Sequence, residues 1–217
     1  MLARRMPRGE SRLARARLAS GGFTLIEVLV TIVVVSIGLL GVVAMQTRAA
    51  SVEFESYQRG QALSLLREME SRLASSRGVI DEFLAADLSS TDGSVHVGGG
   101  AAGEAGLLDC SGAPAGAKAQ LCEWSRSLEG AAAIEGGSKV GAMIGARGCL
   151  IRVEPPQANA LADVFLVVVW QGLQAGAEPP ADSPAGANRC ASGVDFGAGL
   201  RRGVSLRVLV PDLKLTL

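Results

Sequence analysis

The longest apolar stretch of the chain lies close to its N-terminus. The eighteen residues from Val28 to Met45 carry no formal charge, and a helix of about 20 apolar residues crosses a lipid bilayer. Glu27 lies in the same segment, where an unpaired charge costs on the order of 2.5–3.5 kcal/mol near the membrane centre. The pattern predicts a membrane-spanning helix over about residues 25–45. It also indicates that the carboxylate needs a partner of opposite charge.

A helical pattern continues beyond this apolar stretch. Apolar residues recur at spacings of four, three and four residues, at Ala62, Leu66, Met69 and Leu73. These spacings place the four side chains, called the helix stripe below, on one face of a helix. Arg77 and Gly78 supply an end, because glycine readily adopts the left-handed conformation that terminates helices. We therefore predict one long helix over residues 23–77.

Three later segments have the composition of β-strands. Residues 148–154, 164–171 and 203–210 are rich in β-branched or aromatic residues and are bounded by glycine or proline. The middle segment is apolar on both faces over residues 165–170, which favours a central strand. Residues 203–210 alternate between apolar and other side chains, which favours a half-buried strand. We predict an α+β fold, in which a small antiparallel sheet packs on the helix stripe.

The remaining segments complete the predicted organisation. Residues 1–22 form a basic leader and residues 78–217 form one globular head of modest size. Within the head, a short helix is predicted from Asp81 to Leu88, and the glycine-rich residues 98–103 are predicted to form a flexible loop. The Pro/Gly-rich residues 172–199, called the outer loop below, are expected to lack a core of their own.

The charge distribution predicts the orientation in the membrane. Residues 1–22 contain six arginines and one glutamate, a net charge of +5, and basic segments beside an apolar helix stay in the cytoplasm. The rest of the chain is therefore expected outside the inner membrane. Without the leader, 15 basic and 20 acidic residues remain, a net charge of −5. This charge gives no general attraction to nucleic acid, and no nucleic-acid partner is predicted.

Four cysteines follow the membrane segment, at Cys110, Cys122, Cys149 and Cys190. They are expected on the outward side of the membrane, where oxidising conditions favour disulfides. Four cysteines allow three pairings, and all three are open from the sequence. We favour Cys110 with Cys122, which closes a Gly/Ala/Pro loop, and Cys149 with Cys190, which ties a strand to the outer loop. Each disulfide would contribute about 2–4 kcal/mol.

Metal and enzyme chemistry find little support in the sequence. A zinc site is disfavoured because the chain has no CxxC pair and one histidine, His96. No GxSxG nucleophile motif and no GxxxxGK[ST] phosphate loop is present. We interpret His96 as a surface or loop histidine, and Trp124 and Trp170 as core or interface residues. The chain is predicted to be neither an enzyme nor a cofactor-binding protein.

The residues Gly21-Gly22-Phe23-Thr24-Leu25-Ile26-Glu27, followed by the apolar helix, resemble the prepilin signature of type IV pilins and type II secretion pseudopilins. The resemblance implies that a prepilin peptidase/methyltransferase cuts between Gly22 and Phe23 and N-methylates the new amine of Phe23. It also implies that Glu27 pairs with the Phe23 amine of a neighbouring subunit during filament assembly. Opposite charges attract far more strongly in an apolar environment than in water, and methylation leaves the amine cationic.

Further segments resemble the PilV-type minor pilins. They are residues 122–128 (CEWSRSL), 145–149 (GARGC), 167–172 (VVVWQG) and 201–206 (RRGVSL). This resemblance implies a low-abundance subunit that acts with other minor pilins and the major pilin to prime or cap a type IV pilus, with a tip adhesin as a further partner. It implies a single-pass protein of the inner membrane with a periplasmic head, which then joins the pilus (fimbrium) at the cell surface.

Two other functions are open at this point. A minor pseudopilin of a type II secretion system has the same N-terminal signature and apolar helix. A signal-anchored periplasmic binding domain would keep its leader and never polymerise. A simple secretory signal peptide fits less well, because its apolar core has 7–15 residues and ends in a small-x-small cleavage site, and no such site stands out before Gln46.

Overall fold

The computed structural model of this chain describes residues 21–100, 104–112, 114–130, 134–135, 138–139 and 143–212. Its elements, in chain order, are the helix α1 (Leu25–Ser75), a 3-10 turn (Arg77–Val79), the one-turn helix α2 (Ile80–Phe83), the strand β1 (Val97–Gly98), the helix α3 (Gly116–Leu128) and the strands β2 (Ile134–Glu135), β3 (Ser138–Lys139), β4 (Arg147–Arg152), β5 (Ala160–Gln171) and β6 (Arg201–Pro211). The chain divides into two compact units, Met1–Thr47 and Arg48–Leu217, and α1 contributes to both. The fold class is α+β, as predicted.

The helix α1 begins at Leu25, directly after Thr24. The backbone N–H of Glu27 donates to the carbonyl of Thr24 at 3.1 Å and lies 3.3 Å from the Thr24 hydroxyl. A threonine in this position satisfies an N–H that the helix itself leaves unpaired. The helix begins and ends two residues inside the predicted range of 23–77, a difference that is usual for helix termini.

The first unit contains an apolar helix segment that no other described residue covers. Its large apolar side chains are all exposed, and α1 is long and apolar enough to cross a membrane by length and composition. Hydroxyls within it donate to backbone carbonyls three or four residues earlier, as Thr31 does to Val28 at 2.8 Å and Ser36 to Ile32 at 2.7 Å. These hydroxyls are therefore satisfied within the helix and need no water.

The second unit buries the helix stripe. Each of its four side chains is at most 1% exposed, and they share one core with apolar residues of α3 and of the sheet. The predicted stripe is therefore confirmed. Leu65 belongs to this core, and Gln58 of α1 is also buried.

The main sheet is antiparallel and has the strand order β1-β4-β5-β6. The predicted central strand is confirmed, since β5 lies between β4 and β6. The even-numbered residues of β5, from Val164 to Trp170, face the core that contains the helix stripe. Val204, Val208 and Val210 of β6 face the same side, as their alternation predicts. Strand β1 was not predicted, because its two residues carry no periodic signal.

The other face of the sheet carries a second, smaller core. Val167 and Val169 of β5 pack there with Cys149, Ile151 and apolar residues of the outer loop, which are Ala185, Cys190, Ala191 and Phe196. The expectation that the outer loop lacks a core was wrong. The loop covers the odd-numbered side chains of β5, which would otherwise face water.

Arg201 holds the outer loop at the start of β6. Its side chain is buried, donates to the Ala185 carbonyl at 3.0 Å and to the Cys190 carbonyl, and lies 5.0 Å from the ring centroid of Phe196. Burial lowers the pKa of Arg201, and the nearby Glu178 carboxylate opposes this effect. The guanidinium thus satisfies loop carbonyls that the sheet does not reach.

Disulfides join Cys110 to Cys122 and Cys149 to Cys190, which is the pairing that we favoured. The first connects the preceding loop to α3, and the second connects β4 to the outer loop.

Helix α3 was not predicted, although Leu121, Trp124 and Leu128 line its buried face. The helix predicted at Asp81–Leu88 is a single turn, α2. Of the predicted 98–103 loop, Gly98 belongs to β1 and residues 101–103 lie outside the described residues.

Trp124 connects the three layers around the main core. It is fully buried, and its indole N–H donates to the Leu65 carbonyl of α1 at 3.1 Å. A Cβ at Gly148 of β4 would lie 2.6 Å from the Trp124 ring and 2.7 Å from Leu128. A side chain at position 148 would therefore force α3 away from the sheet.

We expect Gly148→Ala to lower the free energy of unfolding by about 1–3 kcal/mol, because the added methyl overpacks the core. Urea unfolding of the full-length protein in detergent micelles, followed by tryptophan fluorescence, measures this change. Gly60→Ala is the matched control, because Gly60 lies inside α1 with open space around its Cβ position. The control is expected to raise stability by about 0.5–1 kcal/mol. Unchanged stability of Gly148→Ala would contradict the close packing.

Candidate functional site

The proposed cleavage point lies in exposed, non-helical chain. Residues 21–24 precede α1 and have no regular secondary structure. Among the described residues, no atom lies within 4 Å of a Cβ built on Gly21 or Gly22, and Phe23 is 82% exposed. Exposed chain with small residues is the kind of substrate that proteases cut. The chain itself therefore imposes no need for glycine at position 22, and any such need would come from the enzyme that binds it.

Glu27 lies in the first turn of α1 and is exposed. Within the residues that the structure describes, its carboxylate has no ion-pair or hydrogen-bond partner. Carboxylates are favourable at helix N-termini because the backbone N–H groups there carry partial positive charge. Local structure thus gives this carboxylate weak support, and the described residues supply no full countercharge.

Comparison with known protein families identifies the same segment. The family description "Prokaryotic N-terminal methylation motif" matches residues 17–43. The match covers Gly22, Phe23, Glu27 and most of the apolar helix segment, and it includes no part of the head. It supports a type IV pilin-like or pseudopilin-like protein whose apolar helix fits anchoring in the inner membrane. Comparison with curated proteins and with solved structures finds no match.

Four segments of the head that the sequence analysis singled out, residues 122–128, 145–149, 167–172 and 201–206, lie in the second unit. Trp124, from the first segment, packs against Gly148 of the second. Trp170 of the third lies opposite Arg202 of the fourth in the β5–β6 register. Most of these residues serve packing of the head.

His96, interpreted as a surface or loop histidine, lies in the loop before β1 but is buried, so the surface part of that interpretation was wrong. Its side chain is buried, with Nε2 at 2.9 Å from Glu104 Oε1 and Nδ1 at 3.2 Å from the Ser94 carbonyl oxygen. Both ring nitrogens are therefore engaged by oxygen atoms. No serine hydroxyl lies within hydrogen-bond distance of the ring in the described part of the chain, so the geometry of a nucleophile–base pair is not formed.

Glu104 bridges His96 to a buried arginine. Arg147 Nε and Nη2 donate to its two carboxylate oxygens at 2.9 and 2.8 Å. The Arg147 guanidinium also donates to the carbonyl of Gly145 at 2.9 Å. The hydrogen bonds from Arg147 lower the pKa of Glu104 to about 2; partial burial opposes this shift and His96 adds to it. The cluster joins the segment after β1 to the start of β4, which is a structural role.

No metal centre is formed by the residues described. Groups of three or more histidine, cysteine, aspartate or glutamate side chains able to hold an ion do not occur among them. All four cysteines are in disulfides.

We expect Glu104→Gln to lower the free energy of unfolding at pH 7 by about 1–3 kcal/mol, because the buried Arg147 charge loses its countercharge. This difference should shrink in acid. The folded-state pKa of Glu104 is about 2, below its ordinary value of 4.5. The carboxylate therefore stabilises the fold above pH 4.5, and this stability is lost as the pH falls from about 4.5 toward 2.

Urea unfolding at a series of pH values measures this prediction on the full-length protein in micelles. Glu154→Gln is the matched control, because Glu154 is mostly exposed and lies 3.9 Å from Arg152. Its effect should stay within about 0.5 kcal/mol. A Glu104→Gln effect that is the same at pH 7 and pH 2.5 would contradict the assignment.

Proposed function

We propose that this protein is a minor pilin of the PilV type. In this proposal the leader is removed between Gly22 and Phe23, the new amine is methylated, and the apolar half of α1 anchors the chain in the inner membrane with the head in the periplasm. The subunit then joins other minor pilins and the major pilin to prime or cap a type IV pilus. The main support is the exposed Gly22–Phe23 junction and the unpaired Glu27, both within the matched methylation motif.

The physics of the processed N-terminus supports assembly. Cleavage would create a cationic amine at the start of a helix, where the helix dipole is unfavourable for a positive charge. Glu27 would carry an unpaired negative charge in the same apolar segment. Each charge alone is costly in lipid, whereas a pair formed between two subunits relieves both. Assembly would therefore be favoured over dispersed subunits in the membrane.

A minor pseudopilin of a type II secretion system is the second candidate, because the matched motif is consistent with it as well. The segments at 122–128, 145–149, 167–172 and 201–206 favour the pilin assignment through their resemblance to PilV-type proteins. Fractionation distinguishes the two: a minor pilin is recovered in sheared pili, and a pseudopilin remains in the envelope and its loss stops protein secretion.

We expect Gly22→Val to block leader removal in cells that contain the prepilin peptidase, because a branched side chain no longer fits where the enzyme needs a small residue. An immunoblot of membranes should show only the precursor. Gly21→Val is the matched control, since a Cβ at either glycine meets no other described residue, and it should be processed. Mass spectrometry of the wild type should give an N-methylated Phe23. Normal maturation of Gly22→Val, or an intact leader in the wild type, would contradict the proposal.

We expect Glu27→Ala to be cleaved normally but to be missing from pili, because the Phe23 amine of its neighbour loses its countercharge. Immunoblots of membranes and of sheared pili measure the two steps separately. Glu27→Gln should behave in the same way, since it retains the side-chain shape without the charge. Val28→Ala, a change at the next exposed position, should assemble normally. Wild-type amounts of Glu27→Ala in pili would disprove the pairing.

A further inference from the structure

Strand β6 lies at one edge of the main sheet, with β5 as its neighbour on one side. Just outside its two ends, the Gly172 N–H donates to the Leu200 carbonyl at 2.7 Å and the Asp212 N–H donates to the Asn159 carbonyl at 2.9 Å. Bonded and unbonded residue pairs alternate along an antiparallel ladder, so the even-numbered residues of β6 bond to β5. The odd-numbered residues over 203–209 therefore direct their N–H and C=O groups away from the sheet.

The chain covers this outward edge only where β6 begins. Gly176 of the outer loop donates its N–H to the Gly199 carbonyl at 2.8 Å. The Glu178 carboxylate accepts from the Arg201 N–H at 3.2 Å. Over residues 203–209, called the open edge below, the described part of the chain offers no backbone partner other than β5. The open edge thus continues a line along which an extended loop already lies.

The open edge lacks the features that protect exposed strands. Proteins shield such strands with charged side chains, proline or covering chain, and proline appears here only at Pro211, beyond the open edge. Its single charged residue is Arg207. The Arg207 guanidinium donates to the Asp163 carboxylate of β5 at 2.9 and 2.7 Å and lies 5.8 Å from the ring centroid of Phe165. This charge is therefore held over the sheet instead of beside its edge.

A groove of about 520 Å³ lies between α1 and the start of the open edge. Its walls include α1 from Val52 to Arg59 and, on the sheet, Gly203. Leu63, one turn after Arg59 on the same flank of α1, is 41% exposed. Even-numbered side chains of β6 face the core that contains the helix stripe, so an added strand would turn one of its faces toward this flank. That face should be apolar, and the opposite face should be polar because it meets water.

We propose that the open edge pairs in antiparallel orientation with an extended segment of a partner protein that has apolar residues at alternate positions. Strand addition of this kind takes its affinity from the backbone ladder and its selectivity from the alternating side chains. The neighbouring strands of the main sheet all pair antiparallel, which suits an antiparallel addition. The proposal does not depend on leader cleavage or pilus assembly.

The orientation fixes which residues of the partner form the hydrogen bonds. In an antiparallel ladder, two directly opposite residues exchange both bonds and their side chains share one face of the sheet. The outward-bonding residues of β6 are odd-numbered, and their side chains at Ser205, Arg207 and Leu209 are exposed on the face away from α1. The polar residues of the partner therefore bond to β6, while its apolar residues face α1.

Two leucines of β6 provide an internal control for the test. The Leu206 N–H points to β5, whereas the Leu209 N–H points outward. The full-length protein is labelled with 15N-leucine in micelles of a non-ionic detergent, and Leu206→Ile and Leu209→Ile assign the two amide resonances. In the free protein, the Leu209 amide should exchange with D2O about ten times faster than the Leu206 amide.

The probe is the peptide Ac-Thr-Val-Thr-Val-Lys-Val-Thr-NH2, whose valines occupy alternate positions. It should move the Leu209 amide resonance in a saturable way and slow its exchange, while the exchange of Leu206 stays unchanged. N-methylation of the peptide at its second threonine and its lysine removes N–H groups that face β6, and it should abolish binding. N-methylation at its first two valines removes the same number of N–H groups from the other side, and binding should persist.

A variant of the protein tests the edge from the other side. Ser205→Pro removes an outward N–H without touching the bonds to β5, a position at which edge strands tolerate proline. It should weaken binding of the peptide by about tenfold or more, since the proline ring also blocks the neighbouring strand. Ser205→Ala keeps the N–H and should bind as the wild type does. If Ser205→Pro does not fold, the two N-methylated peptides decide the question on the unchanged protein.

Four results would overturn the proposal. The first is no change of the Leu209 amide with the parent peptide. The second is equal loss of binding with both N-methylated peptides, which would mean that the proposed ladder does not form. The third is slow exchange of Leu209 in the free protein at every concentration, which would show that the chain itself covers the edge. The fourth is protection of Leu209 that grows with protein concentration, which would make a second copy the occupant.

Discussion

Strand β5 buries apolar side chains on both of its faces, so the sheet needs a cover on each side. Its even-numbered residues require the helix stripe and α3, and its odd-numbered residues require the outer loop. Each cover is attached by a directional interaction as well as by apolar contact. Trp124 donates to α1 on one side, and Arg201 with the Cys149–Cys190 disulfide holds the loop on the other. The second unit therefore has three layers, which are the helices, the sheet and the outer loop. A different set of contacts attaches each cover to the sheet.

The first unit follows a different rule. Its apolar residues are exposed, and their burial has to come from lipid or from other proteins. The hydroxyls of this segment bond to its own backbone, so Glu27 is the one group in residues 25–45 that needs an external polar partner. One carboxylate therefore remains to be paired in a segment whose hydroxyls are satisfied by its own backbone.

The buried polar groups of the head differ in whether the fold gives them a hydrogen-bond or ion-pair partner. Arg147 and Arg201 are buried, and both have carboxylate or carbonyl acceptors within the chain. Asp163 is likewise paired with Arg207 at 2.7 Å, and this hydrogen bond lowers its pKa. Among the described residues, the buried indole N–H of Trp170 and the buried side-chain amide of Gln58 have no hydrogen-bond partner.

The sequence by itself determined the secondary-structure elements whose hydrophobic patterns extend over many consecutive residues. The apolar run, the helix stripe and the three main strands were predicted to within a few residues, because hydrophobic periodicity depends on neighbouring positions alone. The N-terminal signature was also readable, because its residues are contiguous. The favoured cysteine pairing followed from loop composition and agrees with the disulfides of the structure.

Only the tertiary structure decided the contacts between distant segments. Glu104 and Arg147 are 43 positions apart, and no local pattern indicates that they meet around His96. Helix α3 was missed because its buried face is short and its neighbours are glycine, alanine and proline, which favour loops. The sequence shows that both faces of β5 are apolar, but it does not show which segments cover them. The outer loop was therefore expected to lack a core, whereas its core comes from the far side of β5. Local periodicity specifies which faces must be buried, whereas the choice of partner depends on packing across the whole chain.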